Sequence, residues 1–255
     1  MISIIIPVYN NFIYTKRTIQ SIRENTKDYE LIIVDNNSED VTESLRSEKD
    51  INYIRLEKNY GFAKACNIGA SKANGNYLLF LNNDVIVTKN WTELLTKHYR
   101  YFTNLGIVGA IGNNISGMQN AFDGNLNFDL NSLALDYFVK KKSELVQKEN
   151  FNKIRIFPQI RGFCMLMKKD VFLEVKGFDE NYIIGNYEDD DICLKVLHCG
   201  YINAIIEDCF IYHFGSKTFE LFEDNKIKSI NFNNENYFIS KWGMNVNEAF
   251  KRFLE

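Results

Sequence analysis

Four short runs rich in β-branched and aromatic residues, at positions 2–8, 30–34, 51–56 and 77–81, alternate with helix-compatible segments at 12–23, 38–45 and 62–72. Nothing else in the chain limits its fold as strongly. Strand and helix patterns in this alternation predict βαβ units and a mostly parallel sheet with helices on its faces. The runs are apolar almost throughout rather than every second residue, which marks strands buried on both sides. The punctuation fits. Pro7 has no backbone N–H to give to a ladder and marks the end of the first strand. Asn37 or Ser38 can cap the second helix, with Glu39 and Asp40 in its first turn where the helix dipole favours acids. Asn59-Tyr60-Gly61 makes a turn before the third helix, and Asn74-Gly75 closes it.

The fourth strand ends abruptly at Asn82-Asn83-Asp84. Its carboxyl edge is where open α/β sheets place their ligands. A carboxylate at the end of a core strand needs a partner. A metal ion carrying a phosphorylated ligand is one partner, but taken alone the stretch reads more readily as an Asn/Asp turn.

Downstream, the pattern predicts a helix at 91–102 and a strand at 106–112, then Asn-rich loops over 113–152 with one helix near 131–147. That helix carries Lys140, Lys141 and Lys142, which read as a solvated face or as attraction to an acidic acceptor or anionic membrane. A strand at 160–167 and a helix at 169–175 follow, stopped at Gly177. The acidic run Glu188-Asp189-Asp190-Asp191 then precedes a helix ending at Gly200, and two short strands are expected at 201–207 and 211–213. The remaining residues are polar and helical in tendency. Their aromatics, Phe219, Phe222, Phe232, Tyr237, Phe238 and Trp242, are expected to dock on the body.

Bulk properties exclude several classes. A net charge of -3 gives no electrostatic case for nucleic acid as the main partner. No G-x-G-x-x-G follows the first strand and no G-x-x-x-x-G-K-[ST] occurs, which argues against dinucleotide-binding dehydrogenases and P-loop enzymes. The 5 cysteines include no C-x-x-C pair and lie largely in apolar or helical contexts, so buried free thiols and a reducing compartment are expected. The first residues enter a strand without a basic region, unlike a signal peptide. No apolar run approaches the roughly 20 residues that span a bilayer. The expected location is cytoplasmic, with the inner face of the cell membrane as a second setting.

The order of motifs resembles the family 2 glycosyltransferases, of GT-A fold, and within them bacterial enzymes of surface-polysaccharide synthesis, rhamnosyltransferase-like members included. The likeness rests on Pro7-Val8-Tyr9-Asn10, Val34-Asp35-Asn36-Asn37-Ser38, Asn59-Tyr60-Gly61-Phe62-Ala63, Asn67-Ile68-Gly69 and Leu81-Asn82-Asn83-Asp84. Later it rests on Gly162-Phe163, Gly177-Phe178-Asp179-Glu180, Glu188-Asp189-Asp190-Asp191-Ile192-Cys193-Leu194 and His213. It implies a transferase domain over 1–216, with a nucleotide-sugar half at 1–112 and an acceptor half at 113–216. A helical tail at 217–255 packs on that domain.

The resemblance also implies a chemistry, inverting transfer of a sugar from a UDP- or dTDP-sugar to a hydroxyl of a glycan, lipid-linked or protein acceptor. The donor side comprises Pro7, Tyr9, Asn11, Asp35, Asn59, Gly61, Lys64, Asn67, Asn82 and Asn83. Tyr9 would stack on the base and the Asp35 carboxylate would accept from N3–H of uracil or thymine. Gly61 and Gly69 would let backbone approach the donor. Lys64 reads equally as a phosphate contact or as a solvated helix residue. Asp84 would hold Mn²⁺ or Mg²⁺ on the diphosphate, with His213 as a second ligand. The family pattern Asp-x-Asp is incomplete, since its first position is Asn82. Asp189 would be the general base, with Arg161, Gly162, Glu188 and Asp191 on the acceptor side. Two other readings stand beside this one. A nucleotidyltransferase that makes nucleotide sugars needs a basic Gly-rich loop after the first strand, which Tyr9-Asn10-Asn11 does not supply. A non-catalytic module would use the fold as a partner surface. The aromatic tail also offers a surface for a second subunit, so a homodimer is left open.

Overall fold

The computed structural model describes residues 1–122, 128–215 and 217–254. Residues 123–127 of the expected loop segment, and residues 216 and 255 at the expected ends of domain and tail, lie outside the described residues. The first half runs β1 (Ile2–Val8), α1 (Phe12–Asn25), β2 (Tyr29–Asp35), β3 (Ile51–Arg55), α2 (Phe62–Lys72), β4 (Tyr77–Leu81) and β5 (Val85–Ile86). Next come α3 (Trp91–Thr96), β6 (Leu105–Gly112), α4 (Leu133–Glu149), β7 (Ile154–Ile156), β8 (Cys164–Lys168) and α5 (Lys169–Glu174). The chain continues with α6 (Glu188–His198), β9 (Ile202–His213), α7 (Asp224–Trp242) and α8 (Val246–Lys251).

The strands form one mixed sheet in the order β3-β2-β1-β4-β8-β6-β9-β5, with β7 also pairing β9. The first four strands are parallel, as expected. Beyond β4 the sheet is mixed, because β8 runs antiparallel to both β4 and β6, and β5 and β7 run antiparallel to β9. Side chains alternate between two buried layers, as the period of a strand dictates. Ile5, Ile32, Val34, Leu78 and Phe80 face the layer that holds α2, α4, α5 and α6. Ile4, Ile6, Leu31, Ile33, Leu79 and Leu81 face the layer that holds α1 and α3.

Several elements depart from the pattern-based expectation for identifiable reasons. The second helix is a 3₁₀ turn, Val41–Ser47, capped by Asp40 rather than Asn37 or Ser38. Ser38 is already used, its hydroxyl accepting from Asn10 N at 2.7 Å. The strand expected from residue 160 begins only at Cys164, because Arg161 N and Gly162 N donate to Gln119 and Asp189 instead of to a ladder. The two short strands expected after residue 200 are one, β9. Glu207 and Asp208 look like a turn in sequence but lie at a register shift against β6, paired with Arg155 and Lys97. Among the tail aromatics Phe238 is fully buried, whereas Phe232 is 65% exposed and does not dock. All 5 cysteines are free, and only Cys199 is exposed.

Candidate active site

The carboxyl ends of β1 and β4 and the residues just past β2 open into a cleft of about 430 Å³. Pro7, Val8, Tyr9, Asn36, Asn59 and Gly61 form one side, and Arg161, Gly162, Glu188 and Asp189 the other. Asn82, Asn83, Asp84 and His213 line it between them.

Strand pairing explains the centre. Val85 of β5 lies opposite His213 of β9, so Asp84 and His213 become neighbours although 129 residues separate them in the chain. Phe214 N donates to Asp84 O at 2.9 Å and fixes the crossing. His213 Nε2 lies 3.3 Å from Asp84 Oδ1, and Asn82 Nδ2 lies 3.4 Å from the same nitrogen. Both side chains are buried. Burial pushes the Asp84 carboxyl up, but the His213 charge and hydrogen bond, with the Lys217 N–H, outweigh it and hold it below the ordinary value. Burial pulls His213 down, and Asp84 more than offsets this, so the imidazole is raised.

The pair fits a divalent ion. Two ligands about 2.1 Å from an octahedral ion, at right angles, sit about 3 Å apart, close to the observed separation. The carboxylate suits Mn²⁺ or Mg²⁺ and the imidazole supplies a second donor, whereas Asn82 turns its amide Nδ2 toward His213. Among the described residues no group of three His, Cys, Asp or Glu gathers to hold a metal, so the remaining positions on such an ion are left to substrate oxygens or water.

The acidic run forms the first turn of α6. Asp189 faces the cleft, with Oδ2 accepting from Gly162 N and Oδ1 from Asp190 N, both at 2.9 Å. Glu188 is buried, lines the cleft, and its Oε2 has no hydrogen-bond partner. Burial, and then the Asp189 charge, push its carboxyl up to about 8, so it is protonated at neutral pH. Asp190 is raised to about 7 by burial and Asp189, against the pull of Arg161 and Gln159.

Other expected residues lie elsewhere. Asp191 is fully buried away from the cleft, its Oδ1 accepting from Trp242 Nε1 at 2.9 Å and from Lys241 Nζ at 2.7 Å. It ties down the tail, and its placement gives no support to an acceptor contact. Asp35 is also fully buried and does not line the cleft. Register puts it opposite Arg55, and its oxygens accept from Arg55 Nη1 at 2.7 Å, Tyr53 Oη at 2.5 Å and Ser38 N at 2.8 Å. A base N3–H has no access to it in this arrangement. Asn67 braces Phe178 and Glu180, Lys64 lies 3.5 Å from Glu180, and Asn11 donates to Lys217 O, so these three act as ties outside the cleft. Gly69 serves packing rather than the donor, since a Cβ there would collide with Ile5 Cγ2. Tyr9 lines the cleft but lies parallel to Phe222, ring centroids 6.0 Å apart.

Sequence reasoning missed the wall formed by Ile184, Gly185 and Asn186, and the contributions of Asn36, Phe163 and Phe219. Gly185-Asn186 is a turn signal just before the acidic run, but nothing local shows that the turn faces a cleft.

The profile of glycosyl transferase family 2 matches residues 3–174, more than half of the chain. The chain belongs to this family. A relative, an uncharacterized glycosyltransferase of Rickettsia felis, is 27% identical over 203 residues, 76% of this chain and 29% of that protein. Among solved structures, a mannosyltransferase of Pyrobaculum calidifontis in complex with GDP-Man and Mn²⁺ superposes with a TM-score of 0.61 at 16% identity, over 83% of this chain and 56% of that one. GalNAc-T7 with UDP, GalNAc and Mn²⁺ gives 0.63 at 17%, over 84% of this chain and 43% of that one. These likenesses establish the GT-A fold. The chain spans well under two thirds of the length of each of these three proteins. The family match ends at residue 174, so Asp189, His213 and the tail lie beyond it.

Proposed function

We propose that this family 2 glycosyltransferase domain moves a sugar from a UDP- or dTDP-sugar to an acceptor hydroxyl, with inversion, using Asp189 as general base and Asp84 and His213 as ligands of Mn²⁺ or Mg²⁺. One observation carries the reading, namely that a carboxylate–imidazole pair and a separate carboxylate line one cleft. A bound ion would supply Lewis-acid stabilisation of the leaving diphosphate. The nucleobase is assigned to the side formed by Tyr9 and Asn36, since Asp35 is committed to Arg55 and Tyr53. Each oxygen of Asp189 accepts one backbone N–H and keeps a lone pair for the acceptor proton. Protonated Glu188 can donate a hydrogen bond to a sugar oxygen without adding a charge beside the base. Arg161, beside Gly162, borders the acceptor side and is held there by Asp190 at 3.2 Å. The acceptor hydroxyl belongs to a glycan, a lipid-linked carrier or a protein.

The test incubates the purified chain and Mn²⁺ with UDP-, dTDP- and GDP-sugars and measures free nucleoside diphosphate. Release from a UDP- or dTDP-sugar supports the reading. Pyrophosphate-dependent formation of a nucleoside triphosphate identifies a nucleotidyltransferase instead, and failure to bind any nucleotide identifies a non-catalytic module.

A further inference from the structure

The wall that leads into the acidic turn is built in an unfavourable backbone conformation. Ile184, Asn186 and Tyr187 have φ of 62°, 77° and 74°. The left-handed region is tolerable for Asn and costly for a β-branched or aromatic side chain. Three such residues among four, immediately before Glu188, hold only if the surroundings over-determine them.

Two elements distant in sequence do so. From α2, Phe62 N donates to Ile184 O at 2.7 Å, with Gly61 packed against the Ile184 backbone. From α7, the Asn234 side chain reaches under the wall. Its Oδ1 accepts from Ile183 N at 2.9 Å, and its Nδ2 lies 3.0, 2.9 and 3.1 Å from the carbonyl oxygens of Ile183, Gly185 and Asn186. Asn234 is only 1% exposed. An amide has one acceptor face and two donor hydrogens, so it can serve a backbone N–H and several carbonyls at once, which no apolar or singly polar side chain of that size can do. Asn231, one turn earlier, accepts from Asn186 Nδ2 at 2.7 Å. At the end of the same helix, Lys241 bridges Asp179 and Asp191 at 2.6 and 2.7 Å, which anchors α7 to α6 two residues past Asp189.

We propose that Asn234 is a positioning residue for Asp189: the tail helix holds the 183–187 wall in its left-handed course and so sets the direction in which α6 starts. Tyr187 is the residue before the first turn, and its φ fixes where Glu188 and Asp189 emerge. The tail then forms part of the catalytic apparatus although Asn234 does not line the cleft. In its turnover arm alone the inference rests on the transfer reading above.

The experiment compares the full chain with Asn234→Ala and the milder Asn231→Ala. It measures amide hydrogen exchange, UDP binding by calorimetry with Mn²⁺, and turnover of the UDP-sugar that the panel identifies. For Asn234→Ala the expected result is exchange at residues 183–189 raised at least tenfold, with strands β1 and β4 unchanged. UDP affinity stays within twofold at full stoichiometry, and kcat falls at least tenfold at constant donor KM. Asn231→Ala shifts the same readouts in the same direction, more weakly, and decides the matter if Asn234→Ala does not fold. Wild-type exchange in the wall, or raised exchange with unchanged kcat, overturns the proposal. So does loss of UDP stoichiometry with exchange raised throughout, the sign of a merely structural residue. If the wild-type chain turns over no nucleotide sugar, the transfer reading fails, and local exchange alone decides whether Asn234 holds the wall.

Discussion

Gly61 stands where the donor side of the cleft meets the 183–187 wall, and its replacement by alanine has consequences that can be worked out. Its backbone lies at φ 88°, ψ 178°, a region essentially reserved for glycine. Holding a Cβ-bearing residue there costs about 1–3 kcal/mol. The added Cβ would also come within 2.8 Å of Ile184 Cα and N and 2.9 Å of Ile184 O. These are backbone atoms and cannot rotate away, so the wall must move and the Phe62–Ile184 hydrogen bond is strained or lost, at about 1 kcal/mol. The sum is about 2–4 kcal/mol. For a chain of this size each kcal/mol lowers the melting temperature by about 2–4 °C, so Gly61→Ala is expected to melt roughly 4–16 °C lower. Gly243→Ala is the control, because Gly243 also has positive φ (71°) but a Cβ there meets nothing within 4 Å. Thermal melts of the two variants separate strain from close approach. A Gly61→Ala melting temperature within 2 °C of wild type, or equal falls in both variants, refutes the argument.

Asp189→Asn is expected to bind UDP normally and to transfer 10²–10⁴-fold more slowly, about the loss typical of a removed general base; near-normal turnover removes Asp189 from that role. Asp84→Ala is expected to abolish the Mn²⁺ dependence of UDP binding in calorimetry, and binding that still strengthens with Mn²⁺ sinks the metal assignment. Glu188 keeps its proton up to about pH 8 when folded, against an ordinary value of 4.5. The folded state therefore binds more protons across that window, and stability falls as pH rises through it. Glu188→Gln should flatten this decline in melts between pH 5 and 8, and an unchanged slope contradicts a buried, protonated Glu188. Asp179, held down to about 2 against burial by Lys241, Asn181 and Tyr237, acts in the opposite sense. Its contribution is present above the ordinary 3.8 and is lost as pH falls toward 2, so acid melts of Asp179→Asn should lack that loss.

Local pattern determined much of this protein. The period of apolar residues gave the first four strands and the helices α1 and α2, though not the 3₁₀ turn at Val41–Ser47, because burial on both faces writes a near-continuous hydrophobic run. The run ending at Asn82-Asn83-Asp84 and the acidic turn at 188–191 were visible as polar breaks at strand and helix ends, and Asn82, Asn83, Asp84, Glu188 and Asp189 line the cleft. Tertiary structure decided what those residues touch. Pairing of β5 with β9 made Asp84 and His213 neighbours, and the β2–β3 register set Arg55 opposite Asp35 and closed it to a base. Asp191 looked like its neighbours in the acidic run, yet the helical period turns it toward Lys241 and Trp242 while Asp189 faces the cleft. Asn234 gave no signal, since an asparagine in a polar helix reads as solvated surface until the fold lays it beneath a strained loop. Periodicity records whether a side chain is buried, whereas hydrogen bonds between residues far apart in sequence depend on register and helix placement, which the whole chain settles together.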